Sequence, residues 1–217
     1  TATWVHHKGN NSFPMLAQAS IEHLPIADNS IDLIFTDPPY HREYIYLYDW
    51  LAQEASRVLK PGGFCLAMCG GMFLNQNFTI MDKYLTFHWK FEVYLNGFSA
   101  IPIWPRGVVA RSKPILAYSK GKGMPRQGNV LGAIVGGGQD KRFHHWGQDV
   151  ESARYYIDVF SKPGDLVCDP FIGGGTTLVA CELIGRRGIG LDIDPTALNT
   201  TRARLDNAEI PYQGTFL

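Results

Sequence analysis

The sequence has no long apolar run: no hydrophobic stretch reaches the roughly 18 residues that a membrane-spanning helix requires. It also has no net charge, because 20 basic residues balance 20 acidic ones among 217. Charged residues make up only 18% of the chain and hydrophobic residues 45%, a composition typical of a folded protein rather than a disordered one. We therefore predict a globular chain, not associated with a membrane, that buries a substantial core.

Cysteine is scarce, and none of the four cysteines has the spacing of a zinc site. All four fall inside apolar segments, so we interpret them as buried free thiols of a cytoplasmic protein, rather than disulfides or metal ligands. They are Cys65, Cys69, Cys168 and Cys181. The pairs at residues 6–7 and 144–145 are histidines without partners at ligand spacing, so we predict no metal site.

Segments typical of strands and helices alternate along the chain. Strands are predicted at 30–36, 64–68, 91–95, 114–118, 166–168 and 188–191, and helices at 44–59, 76–87, 150–160, 176–184 and 195–207. The first helix is stopped by Lys60-Pro61-Gly62-Gly63. Alternation of this kind predicts an α/β fold, a doubly wound and mostly parallel sheet, in a single domain spanning residues 1–217.

The tetrapeptide Asp37-Pro38-Pro39-Tyr40 directly follows a predicted strand. Ligands of doubly wound sheets bind at the carboxyl ends of strands, so this motif lies where chemistry is expected. The Asp37 carboxylate and the Pro38 carbonyl, which two prolines hold rigidly, could accept both N–H hydrogens of an exocyclic amine. Tyr40 offers a flat face on which a base can stack. The competing interpretation is an ordinary Pro-Pro turn with an incidental acid.

A second motif, Asp169-Pro170-Phe171-Ile172-Gly173-Gly174-Gly175-Thr176-Thr177, follows another strand and opens a helix. No lysine follows the glycines, which excludes a P-loop, and Leu178 replaces the third glycine of a dinucleotide fingerprint. Asp192 ends the next strand, 19 residues after Gly173, near the offset expected for an acid that binds ribose hydroxyls. An adenine-dinucleotide site with an imperfect loop is the alternative, which the pairing with the first motif disfavours.

From about residue 15 to residue 208, the chain resembles the DNA amino-methyltransferases of the permuted beta class, in which Asp-Pro-Pro-Tyr precedes Phe-x-Gly-x-Gly. The resemblance implies a Rossmann-like fold with circularly permuted motif order and S-adenosylmethionine as cofactor. It implies catalytic and base-holding roles for Asp37, Pro38, Pro39 and Tyr40. The implied cofactor-binding residues are Asp169, Phe171, Gly173, Gly175, Thr176, Asp192, Gln148 and Trp146.

The sequence departs from the family pattern in two places. Residues 144–149, His-His-Trp-Gly-Gln-Asp, replace the usual His-Pro-Thr-Gln-Lys-Pro, and Ala19 stands where many relatives have an acid. A cofactor contact is therefore expected to be missing or replaced near Ala19.

The basic residues are concentrated between Arg106 and Arg142. This segment contains eight basic residues and a single acid, Asp140, and therefore has a net charge of +7. A solvated loop is one interpretation of this segment, and contact with DNA phosphates is the other. By resemblance, residues 121–143 form a short basic, glycine-rich recognition insert. The predicted DNA-binding residues are Arg106, Arg111, Lys113, Lys120, Lys122, Arg126, Lys141 and Arg142.

The resemblance predicts a DNA methyltransferase acting on a flipped base at the N6 of adenine, as in restriction-modification. The alternatives are a cytosine-N4 enzyme, or a catalytically silent S-adenosylmethionine-binding subunit of a larger assembly. Methylation at cytosine carbon-5 is disfavoured because the chain has no Pro-Cys pair. DNA is the expected partner, and a homodimer or a specificity subunit is a further expectation.

Overall fold

A mixed sheet of nine strands forms the centre of the protein in a computed structural model, which describes residues 4–6, 13–95, 100–136 and 150–206. In chain order the strands are β1 (Trp4–His6), β2 (Met15–Gln18), β3 (Ile31–Thr36), β4 (Leu59–Met68), β5 (Thr86–Tyr94), β6 (Ile101–Ile103), β7 (Val108–Ala110), β8 (Ser112–Ser119), β9 (Ala133–Val135), β10 (Leu166–Asp169) and β11 (Arg187–Asp192). The spatial order in the large sheet is β1-β2-β11-β10-β3-β4-β8-β5-β9, and β6 and β7 form a separate hairpin.

Five of the eight neighbouring strand pairs in the large sheet are parallel. The antiparallel pairs are β1–β2, β4–β8 and β5–β8. Strand β3 lies between β10 and β4, and its residues Ile31, Leu33 and Ile34 are fully buried, as expected for a parallel strand covered on both faces. The predicted doubly wound, mostly parallel sheet is confirmed.

Helices cover both faces of the sheet. They are α1 (Tyr46–Val58), α2 (Leu74–Met81), α3 (Val150–Phe160), α4 (Thr176–Leu183) and α5 (Pro195–Asp206). Helices α1 and α2 pack on one face, where Ile34 belongs to their cluster, and α3 and α4 pack on the other, where Leu33 belongs to theirs. The longest helix has 13 residues, and among the described residues no helix is long and apolar enough to cross a bilayer.

The predicted helix at residues 76–87 is partly wrong. Helix α2 ends at Met81, and β5 begins at Thr86, so the last two predicted helical residues lie in a strand. Strand β5 pairs with β8 from Thr86 opposite Ser119 to Tyr94 opposite Ser112. The backbone hydrogen bonds of this pairing, which the local sequence does not reveal, determine where the strand begins.

Strand β4 is longer than predicted. Helix α1 ends at Val58, one residue before the predicted end, and Lys60-Pro61-Gly62-Gly63 belongs to β4 rather than to a loop. A Cβ atom at Gly63 would lie 3.0 Å from the carbonyl oxygens of Asp32 and Lys60. Glycine therefore allows the backbone of β4 to lie close to these two carbonyl groups.

Strand direction brings the two sequence motifs together. Cys168 of β10 pairs in parallel with Ile34 of β3, so the chain leaves both strands at the same carboxyl edge. Strand β8 runs the opposite way and therefore begins at this edge and ends at the amino edge. The motif that follows Thr36 and the motif that begins at Asp169 consequently face each other.

Candidate active site

A cleft of about 370 Å³ opens at the carboxyl edge between the ends of β3 and β10. Its walls combine both motifs with residues from β4 and β8. The lining residues are Phe35, Asp37, Pro38, Pro39, Tyr40, His41, Met68, Lys113, Asp169, Phe171, Ile172, Gly173, Gly174, Thr176 and Thr177. This volume falls within the range typical of small-molecule and cofactor sites.

Asp37 and Tyr40 interact directly: the Tyr40 hydroxyl donates a hydrogen bond to the Asp37 carboxylate. Burial raises the pKa of Asp37, while the positive charge of Lys113 and the hydrogen bond from Tyr40 counteract this rise. The Lys113 Nζ lies 5.8 Å from the centre of the Tyr40 ring. The three side chains therefore form one unit, in which a cation and a hydroxyl donor favour the ionised form of the carboxyl group.

The Tyr40 ring packs against Gly70, which follows β4. A Cβ atom at Gly70 would lie 3.1 Å from the Cβ of Tyr40, closer than ordinary van der Waals contact. Burial and the neighbouring Asp37 carboxylate raise the pKa of Tyr40 well above its usual value, so its hydroxyl remains a neutral donor. Glycine at position 70 thus determines how closely the aromatic ring approaches the backbone.

Asp169 ties the ends of β3 and β10 together. Its two carboxylate oxygens accept hydrogen bonds from the hydroxyls of Thr36 and Thr177, each at 2.6 Å, and from the amide of Phe171 at 3.0 Å. Only 4% of the residue is exposed. Burial raises the pKa of Asp169 from 3.8 to about 6, against the lowering effect of these three hydrogen bonds.

The glycine loop before α4 is held from behind by α5. The Thr201 hydroxyl donates to the carbonyl of Gly173 at 2.9 Å, and the buried Arg204 guanidinium donates to the carbonyl of Gly174 at 2.8 Å. Gly175 has a φ of +79°, and a Cβ atom there would lie 2.8 Å from Thr201 Cγ2. Gly175 therefore permits close packing of the loop on α5 and does not itself line the cleft.

Asp192, at the carboxyl end of β11, orders the chain around it. Its carboxylate accepts hydrogen bonds from the amides of Gly173 and Asp194, each at 3.0 Å. The amide of Ala19 donates to the Asp192 carbonyl, and the Gln18 side chain donates to the carbonyl of Ile193 at 2.9 Å. Gln18 therefore places a polar side chain at the end of β2. The next residue, Ala19, is the position where the family pattern often has an acid.

The predicted DNA-binding residues fall into three groups. Lys113 lines the cleft, and Arg106 and Arg111 belong to the exposed segment that precedes it on the same edge. Lys120 lies at the amino edge, where its Nζ donates to the Asn29 side chain at 2.6 Å. Lys120 follows Lys113 by seven positions of extended chain, which amounts to roughly 20 Å.

The glycine-rich segment after Lys120 begins on the edge of the sheet that is remote from the cleft. Lys122 and Arg126 lie on the same edge. The carbonyl oxygen of Lys122 is 3.3 Å from a Cβ built at Gly62. The amide of Arg126 donates a hydrogen bond to the carbonyl of Val159, near the end of α3. The geometry therefore favours Lys113, Arg106 and Arg111 as the basic residues on the side of the cleft. Lys141, Arg142, Trp146 and Gln148 lie outside the described residues.

Several residues that build the site carried no recognised signal in the sequence. Thr36, Thr201 and Arg204 hold the two motifs in place from other elements, and Gly70 seats the Tyr40 ring. The glycine pair after β4 could have indicated a close approach to the adjacent strand end. The roles of Thr201 and Arg204 depend on how α5 packs, which no local pattern specifies.

Comparisons with known proteins match parts of this chain to methyltransferases. A family of N6 and N4 methyltransferases, described as "DNA methylase", matches residues 133–203, and a family described as "Methyltransferase domain" matches residues 2–67. The Type II methyltransferase M.HpaI of Haemophilus parainfluenzae is 26% identical over 84% of this chain and 70% of its own length.

Two solved structures share the fold. The cytosine-N4-specific PvuII DNA methyltransferase superimposes with a TM-score of 0.74 at 17% identity, over 90% of this chain and 87% of that one. The complex of M1.HpyAVI with S-adenosylmethionine gives a TM-score of 0.68 at 23% identity, over 82% and 89%. The fold is therefore the Rossmann-like fold of S-adenosylmethionine-dependent methyltransferases. The family matches and the sequence relatives support an amino-directed DNA methyltransferase.

Proposed function

We propose that this protein transfers a methyl group from S-adenosylmethionine to the exocyclic N6 of adenine in DNA. The observation that carries the proposal is the placement of Asp37 and Tyr40 in one cleft with Gly173 and Gly174 of the glycine loop. An amine acceptor and a cofactor cradle at the ends of adjacent parallel strands are what an amino-methyltransferase requires.

The residues present fit the cofactor. The backbone at Gly173 and Gly174 is open to a ligand, since neither residue has a side chain, and Phe171 and Ile172 provide apolar surface beside it. Asp192 is close to Gly173, and its carboxylate has acceptor capacity left for ribose hydroxyls after its two backbone hydrogen bonds. S-adenosylmethionine supplies, when bound, a methyl group on a sulfonium that a nitrogen lone pair can attack.

The target base is held by the opposite wall. A base inside a duplex cannot reach Asp37, which is half-buried in the cleft, so the nucleotide is flipped out of the stack. The base stacks on Tyr40, while the Asp37 carboxylate and the Pro38 carbonyl accept the two amine hydrogens. These hydrogen bonds turn the nitrogen lone pair away from the ring and towards the methyl group, and Lys113 favours the ionised Asp37 that can accept them.

A second candidate, methylation of cytosine at N4, has one observation in its favour: the structural neighbour with a TM-score of 0.74 is cytosine-N4-specific. Both reactions need the same acceptors for an exocyclic amine. The Asp-Pro-Pro-Tyr form of the motif favours adenine, because the resemblance associates the cytosine-N4 enzymes more often with serine at the first position.

The test is the identity of the methylated nucleoside. The purified protein is incubated with unmethylated duplex DNA and isotopically labelled S-adenosylmethionine, and the DNA is digested to nucleosides for mass spectrometry. We expect labelled N6-methyladenine, and an Asp37→Ala variant serves as the matched control. Labelled N4-methylcytosine alone would refute the adenine assignment while retaining the mechanism. The absence of any labelled nucleoside with a protein that binds the cofactor would refute the activity.

A further inference from the structure

An exposed hairpin projects from the carboxyl edge of the sheet. Strands β6 and β7 pair from Ile101 opposite Ala110 to Ile103 opposite Val108, and the amide of Gly107 closes the turn on the carbonyl of Trp104 at 3.1 Å. At the tip of the hairpin, 83% of Trp104 is exposed, and Val109 on β7 is 59% exposed. Ile101 and Val108 of the same hairpin are also exposed, and several exposed apolar side chains on one short hairpin mark a candidate interaction surface.

The base of the hairpin reaches the catalytic cleft. Ile103 Cδ1 lies 3.7 Å from a Cβ built at Gly71, and the adjacent Gly70 packs against the Tyr40 ring. At its other end, β7 leads within three residues to Lys113, which lines the cleft. The hairpin is therefore continuous with the wall on which the target base is proposed to stack.

The charge of this segment suits a polyanion. Residues 100–113 contain three basic side chains, Arg106, Arg111 and Lys113, and no acid. Arg106 is exposed in the turn next to Trp104. Basic side chains beside an exposed aromatic ring are the combination that contacts phosphates and stacks on bases.

We propose that the hairpin enters the DNA beside the flipped nucleotide, where Trp104 stacks on the bases that the nucleotide has left and Arg106 contacts the adjacent phosphates. The proposal deepens the proposed function, on which it rests, by assigning the residue that stabilises the opened duplex. Apolar side chains inserted between base steps offset the cost of unstacking, and Trp104 is the most exposed large apolar side chain among the residues that the structure describes.

This role has a consequence that a general DNA contact would not have. A flipped base leaves a gap only in a duplex, so the contribution of Trp104 should be specific to double-stranded substrate. Base–aromatic stacking is large enough for its loss to reduce the duplex rate and affinity about fivefold or more. Denatured DNA of the same sequence requires no opening and should be methylated at nearly the parental rate.

The experiment compares Trp104→Ala with Trp89→Ala, a control that removes a tryptophan 55% exposed on β5, outside the residues lining the cleft. Two quantities are measured with each variant and the parent. The first is the rate of methyl transfer to duplex DNA and to the same DNA after heat denaturation. The second is the dissociation constant for a labelled 30-base-pair duplex, by fluorescence anisotropy in the presence of S-adenosylhomocysteine.

We expect Trp104→Ala to lose about fivefold or more in duplex rate and duplex affinity and to keep its rate on denatured DNA, while Trp89→Ala changes neither. Equal losses on both substrates, or none, would overturn the proposed role of Trp104. If the parent methylates no DNA, the proposed function fails, and the duplex affinity alone decides whether the hairpin is a DNA surface. If the parent methylates DNA and both variants match it, the hairpin proposal fails by itself.

Discussion

Replacing Asp169 by asparagine should change how the stability of this protein depends on pH. The Asp169 carboxyl group is almost fully buried between the hydroxyls of Thr36 and Thr177, and burial raises its pKa from 3.8 to about 6. Asparagine has nearly the same shape, retains an oxygen acceptor for one hydroxyl, and can donate to the other after that hydroxyl rotates. The substitution therefore removes the titration while largely preserving the packing.

The sign and the size of this pH dependence follow from the raised pKa of Asp169. Because the folded state holds this proton more tightly than the unfolded state, the contribution of Asp169 to the free energy of unfolding is complete below about pH 4. It is lost as the pH rises through about 6. A difference of about two pKa units corresponds to about 3 kcal/mol. The parent should accordingly lose about 3 kcal/mol of stability relative to Asp169→Asn between about pH 4 and pH 7.

The assay is urea denaturation followed by circular dichroism at several pH values, for the parent, for Asp169→Asn and for Asp28→Asn. The control removes one carboxylate whose side chain is 67% exposed. Subtracting the free energy of unfolding of one protein from that of another cancels the contributions of the titrating groups that they share. If the difference in free energy of unfolding between the parent and Asp169→Asn stays constant across this pH range, the reasoning is refuted. If that difference changes with pH in the opposite direction, Asp169 is ionised more easily in the folded state than in the unfolded one.

Three further outcomes are expected. Lys113→Met removes the charge that lowers the pKa of Asp37, so the acidic limb of the pH profile of kcat/KM should shift to higher pH; an unshifted limb would contradict the coupling. Gly175→Ala strains a left-handed backbone and contacts Thr201, so it should lower the unfolding temperature by several degrees and weaken S-adenosylmethionine binding in calorimetry, unlike an alanine at an exposed surface glycine. The four cysteines are buried and free, and burial raises their thiol pKa values, so a thiol reagent should modify them only as the protein unfolds; fast reaction in native buffer would refute this.

The sequence was sufficient to predict the two motifs at the carboxyl ends of strands. Asp37 follows β3 and Asp169 ends β10, and parallel strands in a doubly wound sheet end at the same edge. The local patterns also predicted α3 at its observed bounds. These inferences succeed because a buried parallel strand and an amphipathic helix are both determined by residues close together in the chain.

The features that the sequence did not reveal depend on long-range pairing. Lys113 and Lys120 belong to one basic segment, but the antiparallel direction of β8 puts them on opposite edges of the sheet. The support of the glycine loop by Thr201 and Arg204 depends on how α5 packs against it. The hairpin that carries Trp104 is short, and its strand-like alternation covers only three residues on each side.

The central claim is that Asp37 holds the target amine and does not bind the cofactor. Its most direct test compares the parent with Asp37→Ala in two measurements, the affinity for S-adenosylmethionine by calorimetry and the rate of methyl transfer to DNA at saturating cofactor. We predict that the affinity stays within about threefold and that the rate falls about a hundredfold or more, because an amine acceptor is lost. A variant that retains the parental rate would contradict the claim, as would one whose loss of rate is explained entirely by loss of cofactor binding.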